Sequence, residues 1–261
     1  MHVETYGDGP DAYVGVHGWA GSHRTFRPLA RRMPESATLY ALDLPGCGKT
    51  PPLEDWRPPR LIDAMVETIA ALPRRPVTLV GACSGATLSL LCAKELGGAV
   101  SRLVMIDPFA ATPWYFRIFL WGAFGRRAYF TAFANPLGRT LTNGALRRRR
   151  RKTGRASLTR AFQHVDHDVT LRYLALFNQL DAVNPFRDMT LPTDILYGGR
   201  TFKKVKEAVR CYQAMWPHAR VWPLPAAGHQ PLEEAPDAVA DIVFQKSESS
   251  TNPTEAACAK S

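Results

Sequence analysis

Two hydrophobic rhythms alternate along this chain, and the alternation limits its possible folds more than any other feature. Short apolar, β-rich runs recur at residues 13–16, 38–42, 77–80, 102–106, 194–197 and 220–224. Helical patterns at 61–72, 87–96 and 203–215 lie between several of them. Strands alternating with helices predict an α/β fold, with a mainly parallel sheet covered by helices on both faces. In such sheets ligands bind beyond the carboxyl ends of the strands. The residues that follow each strand are therefore the first place to look for chemistry.

The alternation is interrupted once. Residues 109–189 are helical in character and begin with the aromatic stretch PWYFRIFLWGAFGRRAYFTAF. This predicts a core built from 1–108 and 190–245, with 109–189 inserted as a helical, basic cap over the strand ends. The polar segment 246–261 lacks periodicity and is expected to be a disordered tail. Net charge is +10 over 261 residues, and its placement matters more than its size. Residues 113–189 hold fourteen Lys and Arg against four Asp and Glu, while the remainder holds nineteen of each. A neutral scaffold with one basic insertion argues against a nucleic-acid binder and for a local docking surface toward something anionic.

Five cysteines, at 47, 83, 92, 211 and 258, are scattered without CxxC spacing. That excludes the pattern of a disulfide framework or a zinc site, and no metal or cofactor is expected. The start, MHVETYGDGP, has neither the basic nor the apolar region of a secretory signal, so a cytoplasmic protein is expected.

After the first run comes His17-Gly18-Trp19, and after the second Asp43-Leu44-Pro45-Gly46-Cys47-Gly48. The third leads into Gly81-Ala82-Cys83-Ser84-Gly85 and the fourth into Asp107-Pro108. The last is followed by Gly228-His229-Gln230-Pro231, with Glu234 and Pro236 beyond. In this order the motifs resemble the α/β-hydrolase superfamily over nearly the whole chain outside the cap. The HGW and DLPGxG text resembles carboxylesterases such as pimeloyl-ACP methyl ester esterase. A cysteine in the elbow resembles dienelactone hydrolases and polyhydroxyalkanoate synthases.

Cys83 and Ser84 stand side by side, and the glycines decide between them. A nucleophile on a tight strand-to-helix turn needs small residues two before and two after it. Cys83 has Gly81 and Gly85 at those places, whereas Ser84 would have Ala82 and Ala86. Cys83 is thus the candidate nucleophile. Ser84 is expected to offer its backbone N–H to an oxyanion, its side chain incidental. The resemblance implies the Trp19 N–H as second donor, His229 as general base and a structural role for His17. It also implies an acid near Thr201, where this chain has none. Asp107, at the alternative position after the preceding strand, is the candidate orienter of His229; a Cys–His dyad is the other reading. A thiol ionises readily beside an imidazole, so a displaced acid is more tolerable with cysteine than with serine.

An acyl-Cys83 intermediate suits hydrolysis of an ester or thioester. It equally suits an acyltransferase, cyclase or synthase fed by a CoA or acyl-carrier-protein thioester, since thioester exchange is nearly isoenergetic and both carriers are anionic. A non-catalytic binding protein on the same scaffold is the third reading. Between 114 and 133 stand nine aromatics, which fit a packed cap face, an acyl-pocket wall or an interfacial anchor. The run Arg147 to Lys152 fits an anionic membrane surface as well as a carrier protein, and a solvated loop with no partner is its commonest explanation. The cluster HVDHD at 164–168 reads as a polar cap helix rather than a metal site.

Overall fold

The computed structural model describes residues 1–149 and 160–245; the expected tail and most of the run from Arg147 to Lys152 lie outside the described residues or side chains. Seven strands form one sheet: β1 (Val3–Tyr6), β2 (Asp11–Val16), β3 (Ala37–Leu42), β4 (Val77–Ala82), β5 (Val100–Ile106), β6 (Thr193–Gly198) and β7 (Arg220–Leu224). Their order is β1-β3-β2-β4-β5-β6-β7, with β1 antiparallel to β3 and every other pair parallel. The sheet thus has the α/β-hydrolase architecture expected. Strand β1 was not anticipated, because VETY is a half-exposed edge without an apolar run to mark it. By contrast, every residue of β3 and β4 is buried, as parallel strands covered on both faces require.

The helices in chain order are α1 (Arg27–Ala30), α2 (Pro58–Ala70), α3 (Ser84–Leu96), α4 (Gly122–Tyr129), α5 (Pro136–Arg149), α6 (His167–Phe177), α7 (Lys203–Met215), α8 (Pro231–Glu234) and α9 (Pro236–Val243). One core layer gathers Leu61 and Met65 of α2, Leu88 of α3 and Val209 of α7 against the sheet. A second layer gathers Leu29 of α1 and Val239 and Val243 of α9 with the alternate strand residues Leu39, Val80 and Val104. Between β5 and β6 the described residues are helical or irregular, and Tyr129, Phe133 and Phe162 make a small core of their own with Ala20.

Register is what positions the site. Val16 pairs with Gly81, Ala82 with Ile106, and Ile106 with Leu196, so these strands end nearly level. His17, Cys83 and Asp107 therefore start loops from one edge of the sheet. From β2 the chain runs outward to β3 and then returns to β4 on the other side of β2. That reversal opens a crevice between the loop after β2 and the turn after β4.

A buried cation ties the two ends of the fold together. The Arg102 side chain, on β5, donates from Nε to Asp194 on β6 at 2.7 Å, and from both Nη atoms to the carbonyls of Ile242 and Val243 at 2.7 and 2.8 Å. Those carbonyls end α9, where no backbone donor remains and a positive charge is favoured. Asp194 is also held by Arg220 at 2.8 Å and by Trp222 Nε1 at 2.6 Å. Removing one partner of such a buried set leaves the rest uncompensated. Arg102→Met is expected to lower stability by roughly 3 kcal/mol in urea unfolding, with α9 the first element to lose protection from hydrogen exchange.

Candidate active site

Strand β4 runs straight into α3 through Cys83, whose φ of 55° and ψ of −121° no ordinary side chain adopts at ease. Such a residue costs about 1–3 kcal/mol and persists only where its surroundings hold it. They do so here by crowding. A Cβ on Gly81 would lie 2.4 Å from the Ala86 Cα, and one on Gly85 would lie 2.2 Å from the Val16 carbonyl oxygen. The Cys83 N–H is tied to the Ile106 carbonyl at 2.8 Å. Glycine spacing and backbone geometry thus agree on which residue occupies the apex of the turn.

The loop after β7 brings His229 to the same edge. Glu234, the last residue of α8, accepts the Gly228 N–H and folds that loop back on itself. The His229 Nδ1 lies 2.5 Å from the Asp107 carboxylate, and its ring is flanked edge-on by Phe109 and Phe202, with centroids 5.4 and 4.8 Å away. Burial by itself would strip the proton from this imidazole. Negative charge on the Cys83 sulfur and the bond to Asp107 outweigh it, and the His229 pKa rises to about 10. Asp107, itself at φ 51°, is buried and accepts the Gly198 N–H at 2.8 Å.

Thr201 fills the place where an acid was expected, and its hydroxyl donates to the same Asp107 oxygen that faces His229. The hydroxyl also lies 3.5 Å from the His229 Nδ1. The position without a carboxylate therefore supports the carboxylate that stands elsewhere. Sequence reading had noted the missing acid but not this contact, which joins residues 94 apart in the chain.

The loop after β2 is fixed by two side chains. His17 is buried, accepts the Leu44 N–H at Nε2 (3.1 Å) and faces the Gly18 carbonyl with Nδ1 (2.9 Å). Burial, only partly opposed by the Gly18 carbonyl, lowers its pKa to about 4, so it is neutral and structural. Trp19 reaches across to the insertion, its Nε1 donating to the Thr170 carbonyl of α6 at 2.7 Å. The Trp19 backbone N–H donates to the Ser84 hydroxyl at 2.9 Å. This corrects the expectation that the Ser84 side chain is incidental: it occupies the very amide expected to bind an oxyanion.

Cys83, Ser84, Trp19, Thr87, Phe116 and Leu174 are among the residues that line a cavity of about 70 Å³. Among the described residues no charged side chain contributes to its wall. A larger open groove of about 500 Å³, bordered by Arg126, Asp168 and Arg172, lies on the insertion and includes none of the residues just described.

The sequence profile of the alpha/beta hydrolase family matches residues 14–242. The chain belongs to this family. Among its relatives, a pimeloyl-[acyl-carrier protein] methyl ester esterase of Stenotrophomonas maltophilia is 36% identical over 52% of the chain and 49% of the relative. The chain thus spans about half the length of that relative. An enzyme of the same name from Chromobacterium violaceum is 27% identical over 89% of the chain and 92% of its own length. A lipase, LipV of Mycobacterium tuberculosis, is 34% identical over 42% of each. The crystal structure of MGS-M2, an alpha/beta hydrolase enzyme from a deep-sea metagenome library, superposes with a TM-score of 0.76 over 96% of both chains at 16% identity.

Several other reactive groups of this family member are buried or paired, while Cys211 is exposed on α7. Cys47 and Cys92 have their pKa values pushed up to about 12, chiefly by burial, which leaves them poor nucleophiles. In the HVDHD cluster, Asp166 caps α6 by accepting the Asp168 and Val169 N–H groups, Asp168 pairs with Arg126, and His167 faces the Tyr129 hydroxyl. His2, Glu4 and His23 place ligand-type atoms within 4.8 Å of one another. There the His23 ring is bonded to Asp43 at 2.9 Å and Glu4 accepts from Lys49 at 3.3 Å, so the group works as an ion-pair network that pins the N-terminus to the loop after β3.

A hydrogen bond to a charged group is worth roughly 1.5–3 kcal/mol, or about 10-fold or more in rate. Thr201→Val is expected to slow turnover of an activated ester about 10-fold, and Asp107→Asn by about 100-fold or more. Adding Thr201→Asp to Asp107→Asn returns a carboxylate to His229 from the other side and should recover a measurable part of that loss in the same steady-state assay.

Proposed function

We propose that this chain is an ester or thioester hydrolase that works through an acyl-Cys83 intermediate, with His229 as acid and base and Asp107 as its orienter. The observation that carries the reading is the paired constellation at one sheet edge: a cysteine on a strained elbow beside an imidazole whose Nδ1 is held by a buried carboxylate. The Cys83 sulfur attacks the acyl carbon, and the carbonyl π electrons move onto oxygen. The resulting oxyanion is received by the Ser84 N–H at the head of α3 and by the Trp19 N–H once the Ser84 hydroxyl lets it go. His229 then gives its proton to the departing alcohol or thiol as the tetrahedral centre collapses. Water, deprotonated by His229, attacks the acyl-cysteine and regenerates the sulfur.

The uncharged cavity favours an apolar acyl group next to Cys83. The names of the relatives support an ester carried on acyl carrier protein, and the basic insertion suits such an anionic carrier or CoA. A second reading, acyl transfer to an alcohol or amine, is favoured by one observation: the apolar rings of Phe109 and Phe202 flank His229 edge-on and so limit the access of water to it.

Intact-protein mass spectrometry after exposure to acyl-CoA thioesters and activated esters tests the mechanism. An adduct on wild type and on Ser84→Ala, but absent from Cys83→Ala, is the expected result. An adduct that survives in Cys83→Ala overturns it. The pH dependence has a defined sign. Because the folded-state pKa of His229 lies above its ordinary value of 6.5, the ion pair contributes fully below 6.5 and is lost as pH rises through about 10. Turnover and thermal stability should both fall through that upper range, and His229→Gln should remove the step from the stability profile.

A further inference from the structure

Six of the nine aromatics between residues 114 and 133 divide into three sets. Tyr129 and Phe133 are packed into the small core, Phe116 lines the cavity beside Cys83, and Trp114, Trp121 and Phe124 point into solvent. The large apolar side chains exposed among the described residues all fall between 114 and 141; Trp114, Trp121, Phe124, Leu137 and Leu141 are each 64–75% exposed. On α4 the inward side is taken by Gly125 and Tyr129, so Trp121 and Phe124, three apart, add a second apolar side to a surface helix. Leu137 and Leu141 stand four apart and share one stripe of α5. Water does not favour such an arrangement, and exposed apolar groups gathered this way mark an interaction surface.

The segment that carries them has charge of one sign, although Arg126 is paired with Asp168 of α6. No Asp or Glu occurs in the sequence between Asp107 and Asp166, while Arg117, Arg126, Arg127 and Arg139 interleave with the apolar residues. Arg126 and Arg172 also border the open groove of about 500 Å³ beside the same turn. Among the described residues no helix is long and apolar enough to cross a membrane. We propose that the surface formed by residues 114–141 seats on an anionic lipid bilayer, with Trp114, Trp121 and Phe124 in the headgroup–acyl boundary and the arginines on the phosphates. Two other occupants fit less well. A second copy of the chain brings the same positive charge and is repelled. An acidic carrier protein satisfies the arginines but gives no reason for five large apolar side chains in solvent. Pro113 and Phe116 line the Cys83 cavity and flank Trp114 in sequence, so the seated surface would bring the mouth of that cavity close to the lipid. The proposal stands independently of the acyl-Cys83 mechanism.

Co-sedimentation with vesicles of phosphatidylcholine, with and without phosphatidylserine, tests it at low and high salt. Wild type should pellet with the serine-containing vesicles and be released by salt. Trp121→Ser/Phe124→Ser should bind at least about 10-fold more weakly, and Arg117→Gln/Arg127→Gln should lose about 5-fold per arginine on the anionic vesicles alone. Both variants should turn over a soluble activated ester at the wild-type rate, which shows that they are folded. Absence of binding at low salt, or undiminished binding by Trp121→Ser/Phe124→Ser, overturns the proposal. So does a wild type that is dimeric by light scattering and becomes monomeric on that substitution, which would give the face to a second copy. Capture by acyl carrier protein that needs Trp121 and Phe124, without vesicle binding, overturns it likewise.

Discussion

The site depends on one backbone constraint, the positive φ of Cys83 at the junction of β4 and α3. That dihedral sets the sulfur at the head of a helix and at the crevice where the sheet reverses direction. It also dictates what stands around it. The approach of α3 to β4 leaves no room for a side chain at Gly81, and the approach of α3 to the end of β2 leaves none at Gly85. A strained turn of this kind is maintained by the packing of three strands, so the elbow is a property of the whole central sheet rather than of five residues.

Much of this was legible in the sequence because it is written locally. Six strands announced themselves as apolar β-rich runs, and the two glycines identified the apex of the elbow without any knowledge of the fold. His229 and Asp107 could be nominated because the motifs around them resemble the family's; Asp107 follows β5 directly, and level register with β4 brings it to the same edge as Cys83. What escaped was everything decided by distance across the chain. The Ser84 hydroxyl meets the Trp19 amide over a separation of 65 residues, and Thr201 meets Asp107 over 94. Neither contact has a sequence period or a turn signature. The aromatic run shows the same limit from another side. Its composition offered three readings without saying which rings are buried and which exposed, since each side chain's direction depends on the turns that carry it.

The position of the acid has a physical rationale of its own. Asp107 sits at the end of β5, between the elbow and β6, and receives donors from Gly198, Thr201 and His229. A buried carboxylate with three donors is well compensated for the loss of water. The hydroxyl at Thr201 thus has a use that an acid at that place could not serve, because two carboxylates so close would repel each other. Asp107 and Thr201 form one hydrogen-bonded arrangement beside His229.

Trp19 joins the two parts of the molecule. Its amide is bonded to the Ser84 hydroxyl, its indole nitrogen to Thr170, and its ring packs against Phe116, Phe133 and Phe162. A shift of α6 or of the small aromatic core would therefore be felt at the Ser84 hydroxyl, so the turn after β4 and the helices between β5 and β6 are mechanically coupled through a single indole.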